Sequence, residues 1–441
     1  MNNVYWKSYL SFILAAFGGA IGFGNLIRFP YIIHAYGGGA FLIPYFLFLI
    51  IIGSPIFVLE LSYGLIYRVS IVNAIPQIVR NKFRDIAKIP GLLSVLTSFI
   101  TSIYFSMILC WDLRYLIRTF DSTIPWASTS NDPVTVTENF FNQEIVESSD
   151  KDYVVNSFSW QLGLISLFLW ILVFLGISFG PNFIGKLVKI TIPLPIILWI
   201  VLWIRSLSQS GVVDGMKYYG SSDFSMLLNF EIWIVAAGQI LYSLAIGFGL
   251  LTAYSIYNKP NQDLLVDSII IITLDILFSL FSGLVVFSLL GNLSSITGND
   301  IENIVEPGIN LAFIVIPSMT ARFPQPKFFS SLFFIVIALI GYTNMIAMMN
   351  STTQYIHEVL SKTIYNKFNI DKLSNRIGID KWYIERMIAS FLTCSLGFLF
   401  TIPLAASNGF YLVQYIDSNV GIYLIISAAL TQTIIVGYLG K

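Results

Sequence analysis

Apolar runs separated by polar breaks recur ten times along this chain, near residues 9–35, 40–67, 89–119, 158–179, 187–207, 230–257, 263–291, 329–361, 384–402 and 409–439. A helix that crosses about 30 Å of hydrocarbon needs about 20 such residues. Ten runs of that length therefore predict an all-α polytopic membrane protein, in which each spanning backbone satisfies its own N–H and C=O groups. Only 11% of the 441 residues are charged, against about a quarter in soluble domains, which excludes a water-soluble fold. The first run continues past Arg28 with no cleavage-site pattern, so it reads as a span and not as a signal peptide.

The same composition narrows the function. The 24 basic and 24 acidic residues cancel, which argues against a nucleic-acid partner. Cys110, Cys394, His34 and His357 are the only cysteines and histidines, too few for a disulfide framework or for a zinc, haem or iron–sulfur site. No nucleophile–base or metal set is visible, so an enzyme is not expected. Loop charge sets the orientation. The segment from Arg68 to Lys88 is basic, as is the one after the eighth run (Lys362, Lys367, Lys372, Arg376, Lys381 and Arg386), whereas the insert at about 120–157 is acidic. Positive charge gathers on the cytoplasmic side, which predicts a plasma-membrane protein with both termini and both basic segments inside and the acidic loop outside.

Two runs are interrupted. The first contains Gly18-Gly19-Ala20-Ile21-Gly22-Phe23-Gly24-Asn25, and the sixth contains Ser243-Leu244-Ala245-Ile246-Gly247-Phe248-Gly249. The pentapeptide Ala-Ile-Gly-Phe-Gly begins at both Ala20 and Ala245. Each copy opens a five-helix half, 1–208 and 209–441, and because five is odd the halves enter the membrane from opposite faces. Glycine-interrupted spans at matching places in an inverted repeat point to a substrate site between broken helices. Freed carbonyls there suit Na⁺, and helix N-termini suit a carboxylate.

Charged residues inside spans are costly and need partners. Arg28, Glu60 and Asp275 are the candidates. Glu60 is expected to accept hydrogen bonds from backbone freed by a broken helix. Asp275 has no sequence partner, so either a bound cation or a proton is its expected counter-charge. Asp112 and Arg114 are expected at the interface, and His34 at a helix end with no ligand role.

The run from Gly18 to Pro30 resembles the first-helix signature of the neurotransmitter:sodium symporter family. Gly37-Gly38-Gly39-Ala40-Phe41-Leu42-Ile43-Pro44-Tyr45, and Gly238-Gln239-Ile240 leading to Ser243, are similar to the same family. The resemblance runs through a tenth helix, without the eleventh and twelfth that many members carry. It implies Na⁺-driven symport of an amino acid by alternating access. One sodium site would use the Ala20 carbonyl, Asn25, Ser243 and Asp275. A second would use carbonyls of Gly18, Ile21 and Ile340 with Thr343 and Asn344. Substrate would meet Ala20, Phe23, Gly24, Thr101, Phe105, Tyr242, Ser243, Ala245, Phe248, Asn344 and Met348. Arg28 resembles the outer-gate arginine, and Tyr257 and Glu358 resemble cytoplasmic-gate residues.

Departures from the family pattern sharpen these expectations. Gly22 replaces the aspartate of monoamine carriers, which favours an amino acid as substrate. The third-helix tyrosine that bonds the substrate carboxylate is Phe105, and its sixth-helix gate partner is Tyr242, so Tyr242 is expected to take over that contact. Gln414 stands at the outer-gate acid, with Asp417 one turn on. The inner-gate arginine is replaced by Asn3, with Lys7 the nearest cation. Tyr45, Gln239, Ser243 and Ser279 match chloride-site positions, but Asp275 replaces an asparagine there and would repel an anion, so chloride is not expected. Two alternatives stand beside sodium symport. One is a proton-coupled carrier of the same architecture using Asp275 or Glu60; the other is a membrane substrate sensor with weak transport.

Overall fold

A computed structural model describes residues 4–127, 132–148, 157–305, 308–363, 370, 374 and 378–440. Among them, eight helices are individually long and apolar enough to cross a membrane: Gly39–Tyr67, Lys88–Arg118, Trp160–Ser178, Pro181–Ser206, Leu264–Thr297, Pro326–Thr363, Lys381–Ala405 and Gly409–Leu439. They are the second to fifth and seventh to tenth spans. The remaining two are broken. In the first, Tyr9–Ala20 and Gly24–Ala35 meet at 57°. In the sixth, Phe230–Ser243 gives way to the short helix Leu250–Ser255. Odd spans run toward the face bearing the 120–157 insert (the loop face), and even spans return to the face bearing Trp6 and the 68–88 segment (the basic face). The two broken spans therefore run in opposite directions.

Local chemistry explains the breaks. Ile21 is extended, with ψ 125°, although its N–H still bonds Phe17. In the sixth span Ala245, Gly247 and Gly249 have φ of 51°, 83° and 67°. That left-handed region is free to glycine but costs an L residue about 1–2 kcal/mol, so Ala245 carries the strain of the turn. The third and eighth spans are the most enclosed helices and pack along one another in the centre.

The insert on the loop face is tied down from inside the bundle. Asp132 caps the helix Pro133–Phe140 by accepting the Thr135 N–H at 3.2 Å. Arg114 donates to the Ile145 carbonyl at 2.9 Å, to Glu147 at 2.5 Å and to Gln161 at 3.0 Å. Asp112 and Arg114 lie within two turns of the end of the helix Lys88–Arg118, both buried, Asp112 completely. The third span runs on under the insert, which covers the end that hydropathy would leave at the surface. His34 ends the helix Phe29–Ala35, with Nδ1 3.0 Å from the Tyr218 hydroxyl.

Candidate functional site

The two breaks enclose a cavity at the centre of the bundle. Its wall comprises Gly19, Ala20, Gly22, Phe23 and Gly24 from the first span and Tyr242, Ala245, Phe248 and Leu250 from the sixth, with Thr101 and Phe105 from the third and Asn344 and Met348 from the eighth. Ten of the eleven residues expected around a substrate are thus brought together; Ser243 turns away toward Asp275. The free volume is about 20 Å³, room for roughly one water molecule.

A single layer separates this cavity from a vestibule of about 230 Å³ on the loop face. Phe23, Gly24, Phe105 and Tyr242 belong to both walls. The Phe23 and Phe105 rings meet edge to face at 5.4 Å, and the Arg28 guanidinium lies 4.9 Å from the Tyr242 ring centroid. A Cβ on Gly24 would sit 2.5 Å from the Tyr242 ring, so glycine there lets the layer close. Arg28 and Asp417 line the vestibule together without forming an ion pair. Gln414 is exposed on the tenth span and does not line that wall. The acid that shares the vestibule with Arg28 is Asp417, at the π-helical turn Ile416–Gly421.

Beside the cavity lies a buried polar cluster. The Asn25 amide nitrogen is 2.8 Å from Ser243 Oγ, 2.7 Å from Asp275 Oδ1 and 2.8 Å from Ser279 Oγ. Ser243 Oγ donates to Asp275 Oδ2 at 2.7 Å. An NH₂ group has two hydrogens, yet three oxygens converge on this nitrogen. The Asn25 oxygen instead accepts the Gly22 N–H at 3.3 Å, so this set of oxygens fits a hard cation once the amide turns its oxygen inward. The Tyr45 hydroxyl lies buried beside Asp275, Ser243 and Ser279. Gln239 donates to the Gly24 carbonyl at 3.2 Å.

The residues of the second expected sodium site also converge, with a difference. The Asn344 amide donates to the Gly19 carbonyl at 2.9 Å and to the Ile21 carbonyl at 3.2 Å. Thr343 bonds Thr191 and the Leu339 carbonyl, both at 2.8 Å, and its methyl lies 2.8 Å from a Cβ built on Gly18. Ile340 is buried on the same span. An amide nitrogen thus occupies the focus of the Gly19 and Ile21 carbonyls, where a cation would require that amide to rotate its oxygen inward.

Polar residues hold the breaks and the basic face. Glu60 is fully buried; its Oε1 accepts the Gly247 N–H at 2.8 Å and the Gln432 amide at 3.1 Å. Tyr257 donates to Gln354 at 3.1 Å, and Gln354 donates to Glu358 at 3.0 Å. Glu358 accepts the Ser70 N–H and the Asn73 amide, both at 2.6 Å, which ties the eighth span to the start of the helix Ile71–Ile78. Asn3 lies outside the described residues, and Lys7 is exposed.

Three residues on this face escaped the reading of the sequence. The Trp6 indole donates to the Tyr254 carbonyl at 3.0 Å. Arg68 donates to the Ile256 and Asn258 carbonyls. Arg386, grouped by sequence with the basic loop, is completely buried in the ninth span. For Trp6, an aromatic beside Tyr5 just ahead of an apolar run was an available signal; none separates Arg386 from the basic residues around it in the sequence.

The profile of the sodium:neurotransmitter symporter family matches residues 4–135 and 129–441. A sodium- and chloride-dependent creatine transporter of Bos taurus is 30% identical over 442 residues, covering 93% of this chain and 66% of its own length. A sodium- and chloride-dependent taurine transporter of Canis lupus familiaris is 31% identical over 438 residues, covering 93% of this chain and 67% of its own length. An uncharacterized sodium-dependent transporter of Methanocaldococcus jannaschii is 30% identical over 437 residues, covering 99% of this chain and 82% of its own. The chain spans about two thirds of the length of the creatine transporters it matches.

Proposed function

The chain belongs to the sodium:neurotransmitter symporter family, and from that membership we propose that it is a secondary active transporter that takes up a neutral amino acid with Na⁺. The central cavity is exposed in turn to the two sides of the plasma membrane, with both termini in the cytoplasm and the acidic insert outside. The observation that carries this reading is the convergence of Ser243, Asp275 and Ser279 oxygens on the Asn25 amide between the two breaks. These residues and the Ala20 carbonyl would hold one sodium ion; Gly18, Ile21, Ile340, Thr343 and a rotated Asn344 would hold a second. The ion supplies a fixed positive charge beside the substrate carboxylate. A tenfold gradient gives ~1.4 kcal/mol per ion and 100 mV gives ~2.3 more, so two ions supply roughly 7 kcal/mol. Na⁺ and substrate bound together favour the closed layer of Phe23, Phe105 and Tyr242, a shift of population through differential affinity.

The relatives named for creatine and taurine carry zwitterions, and Gly22 leaves no fixed carboxylate in the cavity for a free amine. Their names also specify chloride. Asp275 already places a negative charge next to Tyr45 and Ser279, and this supports transport without chloride in this chain. The test is uptake of a mixed pool of radiolabelled amino acids, creatine and taurine into proteoliposomes under an inward Na⁺ or a matched inward H⁺ gradient. Accumulation with Na⁺ in gluconate medium supports the full reading. Accumulation with H⁺ alone makes Asp275 a proton site and overturns both sodium sites. A requirement for chloride overturns the role given to Asp275.

A further inference from the structure

On the loop face, beside the outer half of the first span, lies another cavity of about 440 Å³, within the range that small-molecule sites occupy. It shares no wall residue with the central cavity or the vestibule. His34 reaches it from the end of the half-helix Gly24–Ala35, Tyr218 and Tyr219 from the helix Val212–Gly220, Phe287 from the seventh span and Glu302 from the short helix Ile301–Ile304. Asp223 joins from the turn after Gly220. Backbone bonds knit that turn to the end of the first span: the Asp223 N–H donates to the Gly37 carbonyl at 3.0 Å and the Gly39 N–H to the Ser221 carbonyl at 2.7 Å. Gly38 has φ 63°, and a Cβ there would collide with the Ser221 carbonyl, so only glycine permits the approach.

The wall is aromatic and acidic. Ring centroids lie 5.8 Å apart for His34 and Tyr218, 5.9 Å for Tyr218 and Phe287 and 5.2 Å for Phe287 and Tyr219. His34 turns its Nδ1 to the Tyr218 hydroxyl, which leaves two carboxylates as the charged groups of the wall. Asp223 Oδ1 accepts the Ser225 N–H at 3.0 Å. Glu302 is exposed and lies close enough to His34 and Tyr218 for its charge to act on both. Among the described residues no lysine or arginine lines this cavity, whereas the vestibule balances Asp417 with Arg28. Two uncompensated negative charges among aromatic rings attract a cation. An organic cation fits better than a metal ion. The carboxylates come from separate elements, no group of three His, Cys, Asp or Glu side chains among the described residues could hold a metal, and the rings offer apolar surface to an alkyl body. We propose that this cavity binds a small organic diamine from the outer side, with one ammonium toward Glu302, the other toward Asp223 and the alkyl chain along Tyr218 and Tyr219. Such a ligand ties the half-helix that carries Arg28 to the seventh span and to the helix Ile301–Ile304. It thereby favours the closed position of that half-helix, a shift of population through differential affinity.

The effect on movement rests on the transport reading, so the first readout is binding alone. Isothermal titration calorimetry of the full chain in nanodiscs uses 1,4-diaminobutane as the probe and 1,4-butanediol as its uncharged counterpart. Saturable heat is expected with the diamine in the millimolar range and none with the diol. Glu302→Gln should weaken the diamine about fivefold, the upper end for an exposed charge pair. Asp223→Asn keeps a capping oxygen and should weaken it in the same direction. Absence of saturable heat overturns the site, as does an unchanged affinity in Glu302→Gln; should that variant fail to fold, an unchanged affinity in Asp223→Asn overturns it equally. Tighter binding of calcium ions than of the diamine overturns the choice of an organic cation. In proteoliposomes, external diaminobutane should lower the maximal uptake rate and leave KM unchanged. A raised KM with an unchanged maximal rate would put the probe in the central cavity and overturn the proposal. Diamine binding by a protein that transports nothing leaves the site standing and removes the transport reading instead.

Discussion

Glu60 in the first half of the chain accepts the backbone N–H of Gly247 in the second half, at 2.8 Å and with both residues buried. The break in the sixth span is therefore held by a side chain from the second span, and Gln432 of the tenth joins at 3.1 Å. Glu60→Ala would leave the Gly247 N–H and the Gln432 amide without an acceptor, each unsatisfied group costing about 1–3 kcal/mol. Glu60→Gln keeps a carbonyl oxygen for Gly247. Thermal unfolding in detergent should place the midpoints in the order wild type, Glu60→Gln, Glu60→Ala; a Glu60→Ala protein as stable as wild type would show that the break supports itself.

Asp275→Asn keeps the shape of the polar cluster and removes its charge. The apparent Na⁺ affinity is expected to fall about tenfold, which corresponds to ~1.4 kcal/mol. The buried Tyr45 hydroxyl beside this position can then turn to an anion, so uptake by the variant should be stimulated by chloride where the parent is indifferent. Equal rates in chloride and gluconate for both proteins would dissociate Asp275 from anion selection.

Gly24→Ala tests the closed layer. The added methyl would lie 2.5 Å from the Tyr242 ring, closer than packed atoms approach, so ring and helix must part. Substrate binding measured by scintillation proximity should change only a few-fold, while uptake drops at least tenfold because the outer layer no longer seals. Undiminished uptake would mean that the layer is not the outer barrier.

The spans were legible because a bilayer forces about 20 apolar residues into each helix, and the breaks because glycine clusters stand out in such helices. The ends were harder. The fifth span begins at Pro181 rather than near 187. Lys186 and Lys189 read as a polar boundary, but both are exposed on a helix whose opposite face, including Ile184, Gly185 and Val188, is buried. Long cationic side chains can lie along an apolar helix with the charge in water. The seventh runs to Thr297 because Asn292 and Ser295 pair with Ser210 instead of marking a loop. The cluster around Asn25 rests on partners more than 200 positions away, and only the resemblance brought those residues together in advance. Arg386 had no such guide, since its three acceptors come from three other spans and its sequence neighbours are loop charges. The direction of the Asn344 amide likewise follows from three-dimensional contacts that no local pattern encodes.

The final expectation concerns a hydroxyl that has changed helices. Phe105 lacks the oxygen that the family pattern places on the third span, and Tyr242 supplies one from the sixth; both side chains line the central cavity and the layer above it. If the Tyr242 hydroxyl meets the substrate carboxylate, that bond is charge-assisted and contributes about 1.5–3 kcal/mol. Tyr242→Phe should then raise the apparent KM at least tenfold while the maximal rate stays within a few-fold. Restoring an oxygen on the opposite wall by Phe105→Tyr should recover most of the lost affinity in the Tyr242→Phe background and little in the wild type. This double-mutant comparison separates a lost contact from a damaged layer, because a layer that closes badly would not be repaired by a hydroxyl on the neighbouring helix. An unchanged KM in Tyr242→Phe would instead direct the search to a substrate whose acidic group is held elsewhere, with the Thr101 hydroxyl in the same wall the next position to change.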